Sequence, residues 1–177
     1  MKIFGGGLDL TKPVYVGIDQ SYSGFAITML NNTGYKTTVF KSSLKGILRL
    51  SDIQAHLYQQ LEQVVILDVA MEGYAFGSQM ANMLGELGGM VKLVLLELGQ
   101  YPLIVPPTSL KKYVAGKGAG VSKSQIMLFT YKNFGVDLPD DNAADSYGLA
   151  HLVSGNYTHA YQKEVYTKLN DPKYREK

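Results

Sequence analysis

Three acidic residues interrupt segments that would otherwise be expected to lie in a core. Asp19 ends the apolar run VYVGID, and Glu72 lies at the end of the apolar run VVILDVAMEG. Asp145 stands among small residues in DDNAADSYGLA, four residues after Asp141, so a helix would carry both on one face. Taken singly, each acid has a structural explanation: a turn residue, an ion pair with a lysine, or a helix cap. Taken together, they favour one site assembled from three distant parts of the chain.

Such a cluster suits one kind of chemistry. Carboxylates that share a site repel one another and raise one another's pKa unless cations separate them. Two divalent cations about 3.5–4 Å apart relieve this repulsion, and in phosphodiester hydrolysis one activates water while the other stabilises the leaving oxygen. The chain has no cysteine, so oxygen or imidazole must hold any metal. The sequence therefore predicts a hydrolytic site with two Mg²⁺ ions.

A basic stretch lies between the second and third of these acids. The net charge is only +2, but residues 111–132 contain five lysines and no acid. A solvated helix face is the ordinary explanation, and neutralisation of a phosphate backbone is the functional one. Lys123 follows Ser122, which begins a capping box, so Lys123 would lie beside backbone N–H groups that attract anions. The other candidates for contact with DNA are Lys111, Lys112 and Lys117.

Hydrophobic periodicity indicates the elements that must position these residues. Strands are predicted at 14–19, 25–30, 36–40 and 64–73, with a short strand in YPLIVPP. Helices are predicted at 44–61 and 79–98, after a cap at Thr108 or Ser109, and from Ser122 to about Asn133; a further helix follows Pro139 and ends by Gly155. This order indicates an α/β fold with a mixed five-stranded sheet, a three-strand meander plus parallel strands, and helices on both faces. Parallel interior strands end at one edge of the sheet, so Asp19 and Glu72 should face one site there.

Two of the predicted helices carry apolar stripes. The stripe of helix 44–61 consists of Leu44, Ile47, Leu48, Ile53, Leu57 and Leu61, whose spacing is roughly helical. Helix 79–98 has a Met/Leu stripe beside Gly85, Gly88 and Gly89. Such stripes usually belong to a core, although small residues also let a second helix approach closely.

The chain suits one domain with an extension. We expect a single domain at residues 1–155 and a polar, tyrosine-dotted extension at 156–177. No apolar run reaches the roughly 18 residues that span a bilayer, so no membrane partner is expected. The start of the sequence lacks the pattern of a secretion signal, and the absence of cysteine fits a reducing compartment. These features predict a cytoplasmic protein.

At these residues the sequence resembles a known family. The segments VGIDQSYSGFAI, MEGYAFGS, GKGAGVSKSQI and DDNAADSYGLA look, in this order, like the four signature segments of RuvC-type Holliday junction resolvases, which belong to the RNase H-like nuclease superfamily. The resemblance covers residues 13–154. A single motif is weak, because a GID followed by a glycine turn also opens actin-like ATPases. Those enzymes need a second lobe for which this chain is too short, so no nucleotide cofactor is expected.

The resemblance implies an RNase H-like fold and a homodimer that binds four-way DNA junctions in recombination and repair, nicking two strands symmetrically with Mg²⁺ or Mn²⁺. By position, Asp19 and Glu72 would bind metal, and Asp145 would be the essential aspartate of the last segment. Members commonly carry another acid where this sequence has Asn142. Asn142 offers a carbonyl oxygen without a charge, so we expect Asp141, one turn before Asp145, to replace the missing acid.

Further roles follow from the same resemblance. Lys123 falls where the family places a basic residue near the scissile phosphate. Lys117, in the loop GKGAG, would bind the DNA backbone. Tyr74 or Phe76, just after Glu72, would unstack bases at the crossover. The subunits would pair through helix 79–98. The cellular setting would then be a nucleoid or the cytoplasm of a phage-infected host.

Two alternatives stay open at the level of sequence. One is a nuclease of the same fold that acts on flaps or RNA–DNA hybrids. The other is a junction-binding module with a weak or inactive site, which Asn142 makes conceivable.

Overall fold

The architecture is a six-stranded mixed sheet with helices on both faces. The computed structural model describes residues 1–73 and 81–176. Its strands are β1 Lys2–Gly6, β2 Val14–Asp19, β3 Phe25–Asn31, β4 Gly34–Phe40, β5 Ile66–Glu72 and β6 Leu103–Val105. They lie in the order β1-β4-β3-β2-β5-β6; each neighbouring pair from β1 to β2 in this order is antiparallel, and β2, β5 and β6 are parallel. The predicted meander and parallel strands are confirmed, and the sheet has one strand more than the five predicted.

The helices divide between the two faces of this sheet. They are α1 Gly46–Leu61, α2 Ala81–Glu97, α3 Pro107–Ala115, α4 Lys123–Phe134, α5 Asp141–Val153 and α6 Ala160–Leu169, followed by a 3₁₀ turn at Pro172–Tyr174. α1 and α2 cover one face through a core that includes Leu57 and Leu87. α3 to α6 cover the other through a core that includes Tyr113 and Leu149. Of the helices described, none combines the length and apolar character needed to cross a bilayer.

The helix ends follow their sequence signals in one case and depart from them in another. Ser122 and Gln125 form the predicted capping box of α4, which ends at Gly135 in the left-handed conformation. The cap predicted at Thr108 or Ser109 is wrong, because α3 already begins at Pro107. Proline suits the first helical position, since its fixed φ is helical and its missing N–H would have no partner there.

The additional strand, β1, lies at the edge of the sheet beside β4. Its sequence KIFGG has neither a long β-branched run nor a buried face, which explains why periodicity misses it. Gly5 adopts φ 105°, and a Cβ there would lie 2.3 Å from the carbonyl oxygen of Tyr35. Only glycine permits this close pairing.

The strand register brings the two strand-end acids together. Gly17 pairs with Ala70 and Ile18 with Met71 across the parallel β2–β5 ladder, so Asp19 and Glu72 come next on neighbouring strands. Alternation along each strand then places these two acids on the face that α5 covers. The arrangement follows from register alone.

α5 approaches this face of the sheet unusually closely. A Cβ on Gly17 would lie 2.1 Å from the carbonyl oxygen of Ser146 and 2.4 Å from the amide nitrogen of Ala150. The buried hydroxyl of Ser146 lies 2.8 Å from that of Thr28 on β3, which lies 2.7 Å from that of Thr37 on β4. Close packing and a buried hydrogen-bond chain therefore fix α5 against the strands.

The end of the chain joins the same core. Val165 and Leu169 of α6 are buried against the helices of this face. Arg175 makes two 2.6 Å hydrogen bonds to the carboxylate of Asp68 and bridges Leu103 of β6. The described part of the predicted extension, residues 156–176, thus packs onto the rest of the chain, and the division at residue 155 stays a prediction.

The apolar stripe of α1 packs only in part. Ile53, Leu57 and Leu61 are buried, whereas Leu44, Ile47 and Leu48 are exposed. The reason is length: the stripe continues beyond the core that covers this face of the sheet.

Replacement of Gly17 by alanine should displace α5, since its methyl group would overlap backbone atoms of that helix. We expect Gly17→Ala to lower the free energy of unfolding by about 3 kcal/mol. Gly85→Ala is the matched control: nothing lies within 4 Å of its Cβ position, and it should raise the free energy of unfolding by about 1 kcal/mol. Urea denaturation of both variants measures the difference, and equal effects would contradict the close packing.

Candidate functional site

A cavity of about 440 Å³ opens at the carboxyl edge of the sheet. Its lining comes from the ends of β2 and β5, the turn after β2, Leu84 of α2, Val121 before α4, and residues of α3, α4 and α5. Among the lining residues are those predicted for metal binding and catalysis: Asp19, Glu72, Lys123, Asp141, Asn142 and Asp145. The structure therefore brings together residues that lie more than 120 positions apart in sequence.

The three central acids are buried enough to perturb their own ionisation. Loss of water raises the pKa of Asp19 well above its ordinary range, and the charges of Glu72, Asp145 and Asp141 raise it further. Burial, followed by the charge of Asp145, raises the pKa of Glu72 to about 7. Burial, followed by the charge of Asp141, raises the pKa of Asp145 to about 7. A bound cation would relieve both the loss of hydration and the repulsion between these acids.

Two lysines border the acids. Lys123, at the start of α4, forms an ion pair with Asp141, which raises the pKa of the lysine. Lys111 on α3 also lines the cavity, and its charge opposes the rise in pKa of Glu72 and Asp145. Both positions fit a role in neutralising a phosphate next to the acids.

Two of the other predicted DNA contacts, Lys112 and Lys117, do not line this cavity. Lys112 pairs with Glu164 at 2.6 Å and lines a second cavity of about 210 Å³ between α3 and α6. Lys117 is exposed in the connection between α3 and α4 and lines neither cavity. Tyr74 and Phe76 lie outside the described residues.

Asn142 and Asp141 have different surroundings. The Asn142 side-chain nitrogen lies only 2.6 Å from where a Cβ of Gly24 would be, so this amide packs closely over the turn between β2 and β3. Asp141, by contrast, is directed to Lys123. Both line the cavity, but only Asp141 contributes a negative charge to it.

Gln20 is a site residue that sequence reasoning missed. Its Nε2 donates a 2.7 Å hydrogen bond to the backbone oxygen of Glu72, which ties the ends of β2 and β5 together. Its Oε1 is buried without a hydrogen-bond partner among the described residues. Its position directly after Asp19 was the available signal, but an amide in a turn does not stand out by type.

The donor set suits a hard divalent cation, although the side chains are not arranged as a finished metal site. Carboxylate and amide oxygens are the ligands that Mg²⁺ takes, and after burial the charges of neighbouring acids contribute to the raised pKa values of Asp19, Glu72 and Asp145. Within residues 1–73 and 81–176, no group of three His, Cys, Asp or Glu is placed to hold a metal ion as it stands. The carboxylate of Asp141, for example, is paired with Lys123 and would have to leave this ion pair to bind a metal. Metal binding would therefore require side chains to reorient.

Comparisons with known proteins identify the fold. No family model matches the chain, and no curated protein matches it. The structure of Thermus thermophilus RuvC superposes with a TM-score of 0.64 at 19% sequence identity, covering 92% of this chain and 98% of that one. T. thermophilus RuvC in complex with a Holliday junction substrate superposes with a TM-score of 0.66 at 18% identity, covering 89% and 96%. The predicted RNase H-like fold of RuvC is thereby confirmed.

The acid cluster should make the metal-free protein less stable as the pH rises. Glu72 and Asp145 titrate near 7 in the folded chain and near their ordinary values of 4.5 and 3.8 when unfolded. The folded state therefore binds more protons between these values, and the free energy of unfolding should fall as the pH rises toward about 7. Urea denaturation in EDTA at several pH values measures this.

Removal of one buried acid should reduce the loss of stability at high pH. At pH 8 in EDTA, Asp145→Asn should be about 1 kcal/mol more stable than the parent. Addition of Mg²⁺ should stabilise the parent more than this variant. Asp137→Asn, at an exposed position, is the control and should behave like the parent. A parent stability that is flat or rising across this pH range would contradict the buried cluster.

Proposed function

We propose that this protein is a divalent-metal-dependent endonuclease that resolves four-way DNA junctions. The observation that carries the proposal is the cavity in which Asp19, Glu72, Asp141 and Asp145 meet beside two lysines. Its position at the carboxyl edge of an RNase H-like fold adds support, as does the likeness to RuvC, one structure of which contains a Holliday junction substrate. The four signature segments give the same indication from sequence.

The acids would hold the metal from three directions. Asp19 and Glu72 are fixed by neighbouring strands, Asp145 by α5, and Asn142 can add a neutral oxygen. When bound, Mg²⁺ supplies an activated water and stabilises the leaving oxygen of the phosphodiester. Gln20 keeps the Asp19 and Glu72 strand ends at a constant spacing through its hydrogen bond.

The Lys123–Asp141 ion pair would be exchanged during binding. Without DNA or metal, the ammonium group of Lys123 is paired with the carboxylate of Asp141. A phosphate beside α4 would attract Lys123, because the ammonium group and the helix N-terminus both favour an anion. Asp141 would then be released toward Asp145 and the metal. Lys123 would in turn stabilise charge on the scissile phosphate.

The second copy needed for paired nicks would dock through α2. Met83, Leu93 and Leu96 are exposed on this helix, and the Cβ positions of Gly85 and Gly89 face open space. A symmetric pair of α2 helices could therefore approach closely and would set a constant separation between the two acid clusters.

Asp145→Asn should separate binding from cutting. It keeps the shape of the site but removes a central charge, so we expect junction affinity within about threefold of the parent and cleavage lowered at least about 1000-fold. Gel shift and Mg²⁺-initiated digestion of a synthetic mobile junction measure the two properties. Asp137→Asn is the control and should cut normally. Undiminished cleavage by Asp145→Asn would end the assignment.

The same assay distinguishes substrates. A four-way junction, a flap and an RNA–DNA hybrid of matched sequence should be compared, and paired symmetric nicks in the junction should be the fastest reaction. Faster cutting of the flap or hybrid would replace the resolvase by a different nuclease of this fold. Junction binding by the parent with no product in Mg²⁺ or Mn²⁺ would instead indicate a binding module, which the absence of a finished metal site among the described residues makes a real alternative.

The departure at Asn142 gives a second test. Asp141→Asn should lower cleavage by about 100-fold, because it removes both a charge and the partner of Lys123. Asn142→Ala should lower the cleavage rate only about tenfold, since it removes a neutral oxygen and some packing over Gly24. Single-turnover rates on the same junction measure the order. A larger loss for Asn142→Ala would assign the metal-binding oxygen to the amide.

A further inference from the structure

The beginning of α1 presents apolar side chains to solvent next to the acid cavity. Ile47 is 76% exposed, more than any other large hydrophobic side chain that the structure describes, and Leu48 is 62% exposed. Leu44, just before the helix, is exposed as well. We call residues 41–49 the α1 entry. Its apolar residues continue the buried stripe of α1 but have no core beneath them.

The α1 entry lies at the same edge of the sheet as the acids, where β2 and β4 end. β4 is antiparallel to β3, and β3 to β2, so Phe40 at the end of β4 lies at the edge where Asp19 ends β2. The guanidinium of Arg49 lies 5.6 Å from the ring centre of Tyr22, which lines the cavity. The entry is thus attached to the rim of the site.

The shape of the α1 entry is held by local contacts. The Nε of Arg49 donates a 2.7 Å hydrogen bond to the backbone oxygen of Leu44, which closes the segment on itself. Tyr22 supports the same guanidinium from below. An apolar projection held in this way loses little conformational freedom on binding.

The charge of the α1 entry is uniformly positive. It contains Lys41, Lys45 and Arg49, and the first acid after it is Asp52. Neither Lys41 nor Lys45 forms an ion pair with any residue in the described ranges. The patch therefore combines unpaired cations with exposed aliphatic side chains.

We infer that the α1 entry contacts branched DNA at the branch point, with Ile47 and Leu48 packed against an unpaired or unstacked base and the cations on adjacent phosphates. The inference rests on the proposed function and adds a contact outside the acid cavity. Apolar wedges are a known means of holding DNA bases apart, and a branch point offers bases that are already partly unstacked. Linear duplex would engage the cations only.

Two other occupants fit the observations less well. A membrane surface would bury the rim and close the adjacent cavity to its substrate. A symmetric contact with a second copy would place Lys41 and Lys45 near their own counterparts, where like charges repel. DNA satisfies both the apolar and the cationic parts of the patch.

The test uses the full-length parent in EDTA, with Ile47→Gln/Leu48→Gln as the variant. Its Kd for a four-way junction should rise about tenfold, and its Kd for linear duplex should stay unchanged. A 2-aminopurine at the branch point should brighten with the parent and much less with the variant. The matched control is Val65→Gln/Leu67→Gln, at 62% and 54% exposure where β5 begins, at the opposite edge of the sheet; it should match the parent.

A second variant separates charge from shape. Lys41→Gln/Lys45→Gln should weaken junction and duplex binding alike and reduce the salt dependence of log K by about two. Binding to anionic vesicles that these changes abolish, with junction affinity unaltered, would assign the patch to a membrane. Loss of dimerisation by Ile47→Gln/Leu48→Gln in the absence of DNA would assign it to a second copy.

The outcomes distinguish this inference from the proposed function. A parent that shows no preference for junctions over duplex removes the proposed function. A parent that prefers junctions, together with an Ile47→Gln/Leu48→Gln variant that binds them equally well, removes only the role of the α1 entry.

Discussion

The close approach of α5 to β2 is the constraint on which the site depends. Asp19 is fixed by a strand, but Asp145 belongs to a helix that must come within reach of it. A helix ordinarily packs on a sheet through intervening side chains, whereas at Gly17 the backbone of α5 takes the place of a side chain. The small residues of DDNAADSYGLA make this close packing possible from the side of the helix, and Ala143 and Ala144 are fully buried. The same small residues therefore allow α5 to pack closely and bring Asp145 near Asp19.

This arrangement works against the stability of the fold. Buried carboxylates lose hydration and repel one another, and neither effect is balanced by enough positive charge, because the pKa values of Asp19, Glu72 and Asp145 are all raised. Lys123 compensates in part by pairing with Asp141 at the rim. A fold selected for stability alone would replace such a cluster by apolar residues. Its presence is the strongest physical reason to assign the cavity a function, because structural needs are met elsewhere by capping, close packing and the Thr28–Ser146 hydrogen bond.

Much of this could be predicted from the sequence, and the failures have physical causes. Buried strands and the acids at their ends were evident because period-2 and continuous apolar runs are strong signals. β1 was missed since an exposed, glycine-rich edge strand has neither signal. The exposure of Ile47 could not be foreseen, because a stripe shows which face of a helix is apolar and not where the sheet beneath it ends. Gln20 was missed because its role arises from a contact with the Glu72 backbone, 52 residues away in sequence.

The distribution of charge around the cavity has a consequence for how a polyanion would enter it. Four acids on the cavity wall repel phosphates, so a nucleic acid reaches them only if cations outside the cluster first hold its backbone. Lys111 and Lys123 line the cavity, and Arg49 contacts the lining residue Tyr22 from the part of the chain that packs on the opposite face of the sheet. A nucleic-acid strand held by these cations would lie next to the acids that line the same cavity. Positive charge beside the negative cluster would therefore help a phosphodiester approach it, and a divalent cation held by the acids would turn the repulsion at that point into attraction.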